Sequence, residues 1–473
     1  MRGLMLRAGM LAACVGAVLA LAGGALADSA TTVCASGCPY TSIQAAINAA
    51  IPGATISIGP GSYAENVTVN TSVTLRGSGN ATVIYPAVSA PNPCASSSLC
   101  GGMASNIILV QANNVTISNL RLEGDNPSLT SGVVVGGADI DARNGIITDH
   151  SAGTWNNLTV SHVTISDIYL RGIYASSGGS FTFLQNRVDN VQADGSSIAI
   201  FNFGGSGLIA GNRVSHANDA ISSNWSTGTQ YSDNVVTHSA SGIHTDNNGG
   251  SGGVADTIEG NTVRSCTTDG YGIWVFAPYV SATIESNQVE GCAVGLAAFG
   301  SQAAGQGPLF KTNDVQGDNA TTTDPTGTYG AYVSTDLLGY GFANVNVTFV
   351  GNSFQNFGTG LLTTQTRAFF GGLPTGQATT TATGNSIHDN KVGANGEAGT
   401  IFNAQNNWWG CAAGPNKNRC DTAIGTVQYA PWLTKQPNDV DHLATHDEST
   451  NDTSSNHGYR RGPTDALSMS GMS

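Results

Sequence analysis

The feature that most constrains this chain is a column of asparagines. Between Asn186 and Asn313 the tetrads Gln-Asn186-Arg-Val, Gly-Asn212-Arg-Val, Asp-Asn234-Val-Val, Gly-Asn261-Thr-Val, Ser-Asn287-Gln-Val and Thr-Asn313-Asp-Val recur at spacings of 26, 22, 27, 26 and 26 residues. Each Asn stands between two short β-prone runs, and about ten residues later a Gly-Ile-like pair opens a third. A unit of three strands and no helix cannot bury its apolar face alone, so it must stack on its neighbours. Asn at a fixed corner suits this, because it tolerates the left-handed conformation and its amide can bond the next Asn in the stack. The pattern predicts an all-β, right-handed parallel β-helix with three strands per coil. Asn119, His162 (a His in the Asn column), Asn352 and Asn385 extend the repeat, and 318–328 and 367–377 read as corner loops.

Composition agrees. Only 10% of the 473 residues are charged, against roughly 25% in ordinary domains. A net charge of −14 with no basic cluster disfavours nucleic acid as a partner. Residues 1–27 read as a signal peptide: Arg2 and Arg7, an apolar core from Ala8 to Ala22, and Ala25-Leu26-Ala27 for cleavage. Leu11-Ala-Ala-Cys14 also resembles a lipoprotein box, but Cys14 lies inside the apolar core. No other run approaches the roughly 18–20 apolar residues needed to span a bilayer. The expectation is a secreted, periplasmic or cell-surface monomer, with a β-helix over 28–436 and a polar, patternless tail over 437–473.

Cleavage leaves eight cysteines, an even number suited to disulfides in an oxidising compartment. Cys34/Cys38, Cys94/Cys100 and Cys411/Cys420 read as local pairs. Cys266 and Cys292 each follow a ladder Asn by five residues, which stacks them in adjacent coils about 4.8 Å apart, within disulfide reach. Tyr40 to Ala50 reads as a short helix capped by Thr41 or Ser42, with Ile43, Ala46, Ile47 and Ala50 on one face. Such a helix covers the open edge of the first coil.

That helix and the following Ile56-Ser-Ile-Gly-Pro-Gly-Ser-Tyr-Ala-Glu-Asn-Val-Thr-Val69 resemble the entry segment of secreted pectate-lyase-like β-helix proteins. Asn406-Asn-Trp-Trp-Gly410, Gly414-Pro415 and Val427 to Leu433 resemble the closure of bacterial β-helix repeat proteins of the NosD-like, PbH1 type. The superfamily includes polysaccharide lyases, pectin methylesterases, some glycoside hydrolases and the NosD-type proteins linked to copper delivery. The resemblance therefore implies a fold more than an activity. The polygalacturonase Gly-His-Gly and Arg-Ile-Lys, the methylesterase Asp-Phe-(Ile/Val)-Phe-Gly and the alginate-type Asp-Pro-His are absent.

Aligning the coils on the Gly-Ile pair gives inward anchors Ile146, Ile173, Ile198, Ile221, Ile243, Ile273, Leu296 and Ala331. The first residue after each anchor then faces outward: Ile147, Tyr174, Ala199, Ser222, His244, Trp274, Ala297, Tyr332. So does the third: Asp149, Ser176, Phe201, Asn224, Asp246, Phe276, Phe299, Ser334. Trp225 and Asn247 follow in the turn. This is an aromatic stripe with one polar island. Tyr174, Trp225, Trp274 and Phe276, with Asn224 and Asn247, are the candidate sugar-binding residues. His244 and Asp246 are the candidate acid and base, Asp246 orienting the imidazole, and Asp219 one coil below offers a second carboxylate. Stacked aromatics also stabilise solenoids, so the stripe reads equally as packing. Asp139-Ile-Asp141-Ala-Arg143 offers carboxylates and an Arg of the kind a Ca²⁺-assisted lyase uses.

The sequence points to a polysaccharide-binding β-helix that cleaves its ligand as a lyase or glycosidase. Two alternatives stand beside it: a non-catalytic, adhesin-like surface solenoid, and a NosD-like accessory role in metal-centre maturation. Against the last, no Cys/Met/His cluster of the kind copper(I) favours is visible.

Overall fold

The computed structural model describes residues 31–95, 97–246, 253–267, 269–276, 282–300, 307–318, 327–335, 344–365 and 376–437. The leader, almost all of the tail, most of both corner loops and Asn247 lie outside these. Among the described residues the chain winds through three long parallel sheets, of fifteen, twelve and thirteen strands, here called first, second and third in the order each coil visits them. Every coil pairs in parallel with the next, as at Thr182↔Leu208, Val188↔Val214 and Ile200↔Ile221. This is the right-handed parallel β-helix expected.

Inward strand positions fill the interior with one stacked residue per coil, Ile165, Val188, Val214, Val236, Val263 and Val289 along the second sheet. The Asn ladder turns the corner between the first and second sheets. Asn261 Nδ2 donates to Asn287 Oδ1 at 3.0 Å and to the Tyr231 carbonyl at 3.0 Å, while its Oδ1 accepts from Asn234 N and Nδ2. The same bonds run from Asn186 through Asn352 and Asn385 to Asn407.

The left-handed residue is not the ladder Asn but the one before it: Gln185, Gly211, Asp233, Gly260, Ser286 and Thr312 all have positive φ. Asn119 and His162 are themselves left-handed, so they belong to that column. Leu120 and Val163 stand in the ladder position, and the Val163 N–H caps the ladder by donating to Asn186 Oδ1. The sequence register was one residue off there because His and Asn both tolerate the left-handed corner.

The entry helix spans Ile43–Ala49, with Ser42 as N-cap and Ile43, Ala46 and Ile47 buried. Glu65 holds its start, accepting from Ile43 N, Gln44 N and Ser42 Oγ at 2.8–3.0 Å, a carboxylate placed where the helix dipole favours it. At the far end Trp409 is wholly buried and Trp432 packs against the core. Disulfides join Cys34–Cys38, Cys94–Cys100, Cys266–Cys292 and Cys411–Cys420, and the inter-coil pair has Cα atoms 4.7 Å apart. No helix among the described residues is long and apolar enough to cross a membrane.

Candidate functional site

The outer face of the third sheet carries the candidate residues, and pairing fixes their columns. Tyr174, Phe201, Ser222, His244, Trp274, Ala297 and Tyr332 lie side by side. One coil departs from expectation. Its inward anchor is Ile200, paired with Ile173 and Ile221, rather than Ile198. Phe201 therefore joins Tyr174 in the first column, Phe203 takes the third, and Ala199 turns inward. Ser197-Ile-Ala-Ile200 offers two candidate anchors, and the pair read from the sequence was the wrong one.

The sheet carries a further outward column that strand alternation does not predict. The residue before each Gly/Ala-Ile pair also faces out, giving Asn144, Arg171, Ile198, Asp219, Ser241 and Tyr271. Both residues of the pair face inward at this corner: a Cβ on Gly172 would meet Val188, and one on Gly242 would meet Val263. The recurring X-Gly/Ala-Ile triplet was the available signal.

This column decides what His244 does. Its Nδ1 lies 2.8 Å from Ser222 Oγ and 3.5 Å from Asp219 Oδ2. The carboxylate beside the imidazole therefore belongs to the coil below, and Asp246 does not orient it. The ring stacks on Trp274 at 3.7 Å and 4°, and Trp274 Nε1 donates to Ser241 Oγ at 2.8 Å. His244 is 1% exposed, and His244 Nε2 and Asp219 Oδ1 are buried without hydrogen bonds. Trp274 and Phe276 are buried with Phe299, Tyr332 and Leu362 in an apolar cluster of their own. Tyr174 is buried against Phe201, their rings 4.5 Å apart, and burial pushes its hydroxyl up to about 12. These aromatics pack against one another and offer no open platform.

Trp225 differs. It is 45% exposed, and its φ is 57°. Non-glycine residues seldom adopt that region, and bulky ones least of all. The equivalent residue one coil below is Gly204, with φ 72°, and below that Gly178, with φ 79°. The corner asks for a small residue and here carries an exposed indole. Strain of this kind collects at functional positions.

Beside it stands Asp246, partly exposed, in register with Asn224 and accepting a hydrogen bond from the Trp225 backbone N–H. Desolvation, with the nearby Asp256 charge adding to it, pushes the Asp246 carboxyl well above the usual carboxylate range, against the Trp225 hydrogen bond. Asp256 is wholly buried, accepting from Thr245 Oγ1 and Thr229 N at 2.7 Å and from Ser226 Oγ. A carboxyl raised in this way at the edge of the sheet face is of the kind a general acid needs. Asp219 is not its partner: Asp219 precedes Asn224 by five residues in one strand, about 16 Å at the strand rise, beyond the roughly 5–9.5 Å that glycosidase carboxyl pairs span.

The 139–143 segment does not assemble as a cation site. Asp139 caps the turn at Ser131 and Gly132, and Asp141 accepts from Asn126 N. Arg143 is consumed by carbonyls of Pro91, Ser97 and Ser98. Among the described residues no group of three or more His, Cys, Asp or Glu could hold a metal ion.

No protein-family model matches the chain, and no curated protein matches it. Among solved structures it is similar to the catalytic domain of a GH87 alpha-1,3-glucanase. An Asp-to-Ala variant in complex with tetrasaccharides shares 16% identity over 84% of this chain and 69% of that one, with a TM-score of 0.50. The same variant with nigerose shares 16% over 84% and 68%, also at 0.50. The A-module of an Azotobacter vinelandii mannuronan C-5 epimerase shares 16% over 82% and 94%, at 0.45. The likeness to the glucanase domain is one of fold.

Proposed function

We propose that this protein is a secreted polysaccharide-active β-helix that engages a glycan chain at the Trp225 corner and cleaves it with Asp246 as general acid. One observation carries the reading. An exposed indole occupies a left-handed corner suited to glycine, and its own backbone N–H donates to a carboxyl that desolvation raises well above the usual carboxylate range. A flat apolar face beside a proton donor is what a pyranose ring and its glycosidic oxygen require. The glucanase domains that share the fold were solved with oligosaccharides bound, the ligand class assigned here. Four disulfides fit an oxidising compartment outside the cytoplasm.

A second reading, a non-catalytic glycan-binding solenoid, is favoured by the distance of Asp219 from Asp246. The metal-maturation reading has no such support, because all eight cysteines after residue 27 are in disulfides.

The test is product formation against pectic, alginate-like and neutral polysaccharides, with and without Ca²⁺. New reducing ends without unsaturation, lost in Asp246→Asn with folding intact, support the hydrolase. Binding without products in both proteins selects the binding module. Unsaturated products would make it a lyase and contradict the role given to Asp246.

A further inference from the structure

Between Glu123 and Ala142 the chain leaves the coil and forms a separate antiparallel hairpin, Val134–Val135 against Ala138–Asp139. Its turn is Gly136-Gly137, both left-handed with φ of 63° and 92°, as a two-residue hairpin turn requires. The turn presses on Asn190: a Cβ on Gly136 would lie 2.7 Å from Asn190 Nδ2. Val133, Val135 and Ile140 pack with Tyr169, Leu170 and Ala193 in an apolar cluster separate from the core. Two polar links fasten the hairpin. Asn190 Nδ2 donates to the Val135 carbonyl at 2.9 Å and to Asp167 Oδ1 at 2.6 Å, and Asp139 N donates to Asp125 Oδ2 at 3.2 Å.

Both links end on an acidic base of Glu123, Asp125, Asp139, Asp141 and Asp167. Glu123 is buried, accepting from Ser166 Oγ at 3.0 Å and from Arg121, and its Oε1 lies 3.5 Å from Asp125 N. Asp141 is wholly buried, with Oδ1 making no hydrogen bond. Desolvation first, then the hydrogen bond with Asp167 and its charge, raise Glu123 to about 7, and Arg121 and Ser166 offset part of this. Desolvation raises Asp125 too, with the charges of Asp141, Asp167 and Asp139 adding to it against the Asp139 hydrogen bond. Around this group, Tyr85 lies one coil below Glu123 and Asp189 two coils above, while Asp194 and Arg143 face Tyr169.

We propose that the 133–140 hairpin is a pH-released strap: one proton on the Glu123–Asp167 pair keeps it fastened over Tyr169 and Leu170, and loss of that proton frees it. Protonated Glu123 donates to Asp167, which holds Asn190 against the Val135 carbonyl. Ionised Glu123 faces Asp167 and Asp125 as like charges, and each of these carries one of the two links. Opening the strap relieves that repulsion with water and distance. The closed strap therefore binds the proton more tightly than the open one. Its fastening is complete below the ordinary glutamate value, weakens as pH rises to about 7, and then levels off. What opens is the apolar surface of Tyr169, Leu170 and Ala193.

The experiment is amide hydrogen exchange by mass spectrometry on the whole protein between about pH 5 and 8, corrected for the pH dependence of the chemical exchange step. Protection over 131–141 should fall several-fold per pH unit up to about 7, about tenfold per unit being the limit for one proton. Protection of the coil around Asn261 should stay constant. Glu123→Gln keeps a donor toward Asp167 and cannot ionise, so its strap should stay closed throughout. Asp167→Asn suits that residue's left-handed corner, φ 60°, and removes the opposing charge. It should lessen the fall, and it carries the test if the Gln variant does not fold. Flat protection in wild type, an unchanged fall in either folded variant, or an equal fall around Asn261 overturns the proposal.

Discussion

At the residue scale, Trp225 and Asp246 carry the account, and each makes a prediction against ordinary expectation. Trp225→Gly should stabilise the fold by about 1 kcal/mol, because a side chain in the left-handed region costs roughly 1–2 kcal/mol that glycine does not pay. It should also abolish glycan binding. Denaturant midpoints and binding isotherms on the same protein check both halves, and a destabilised Trp225→Gly would contradict the strain argument. For Asp246 the sign follows from its raised carboxyl. The unfolded carboxyl ionises near the ordinary value and the folded one only well above it, so the folded state binds more protons between the two. Stability present below the ordinary value is therefore lost as pH rises through that window. Asp246→Asn should match wild type at acid pH and exceed it near neutrality, as thermal scans across pH would show. Much of this was legible: the sequence alone put His244, Asp246, Asn224 and Trp225 on one face. Which of them meets solvent was not, because outward strand positions read alike whether covered or bare. Trp274 and Trp225 are both outward tryptophans, and only the three-dimensional packing separates them.

At the scale of the coil, the Asn ladder is a self-satisfying array in which each amide donates and accepts along the column. Removing one side chain takes the partner from the buried Asn234 backbone N–H and one bond each from Asn234 Nδ2 and Asn287 Oδ1, so Asn261→Ala should cost about 2 kcal/mol. Thr283→Ala, on the outer face of the first sheet, should stay within roughly 0.5 kcal/mol. Comparable denaturant midpoints for the two would refute the ladder's energetic role. The ladder was plain in the sequence because one residue type recurs at a nearly constant period. Its first rungs were misplaced because Leu120 and Val163 replace Asn there, and the neighbouring Asn119 and His162 share Asn's tolerance of positive φ. The anchor in the coil at Ile200 was misread for a related reason: two isoleucines two residues apart fit the same period. The outward column holding Arg171 and Asp219 was hidden because alternation fails at the Gly/Ala-Ile corner, where two consecutive residues face inward.

At the scale of the molecule, buried carboxyls set the pH behaviour. Burial, with Asp167 hydrogen-bonded beside it, raises Glu123 to about 7, and burial raises Asp421 to about 6. Serine hydroxyls and nearby backbone amides hold Asp149 and Asp194 below the ordinary value despite partial burial. The raised set makes stability fall as pH climbs from about 4 to 7; the lowered set makes it fall again in stronger acid. The melting temperature should therefore peak in mildly acid solution, and Glu123→Gln should flatten the decline toward neutrality. A melting temperature that rises steadily from pH 4 to 8 would contradict this balance. The central claim, that the glycan site is the Trp225 corner and not the buried stripe above it, is tested most directly by calorimetric titration of wild type, Trp225→Ala and Trp274→Phe with one glycan. The account predicts a loss of about tenfold to a hundredfold in affinity for Trp225→Ala, the scale of one aromatic face taken from water, and an unchanged affinity for Trp274→Phe. Wild-type affinity in Trp225→Ala together with its loss in Trp274→Phe would contradict it.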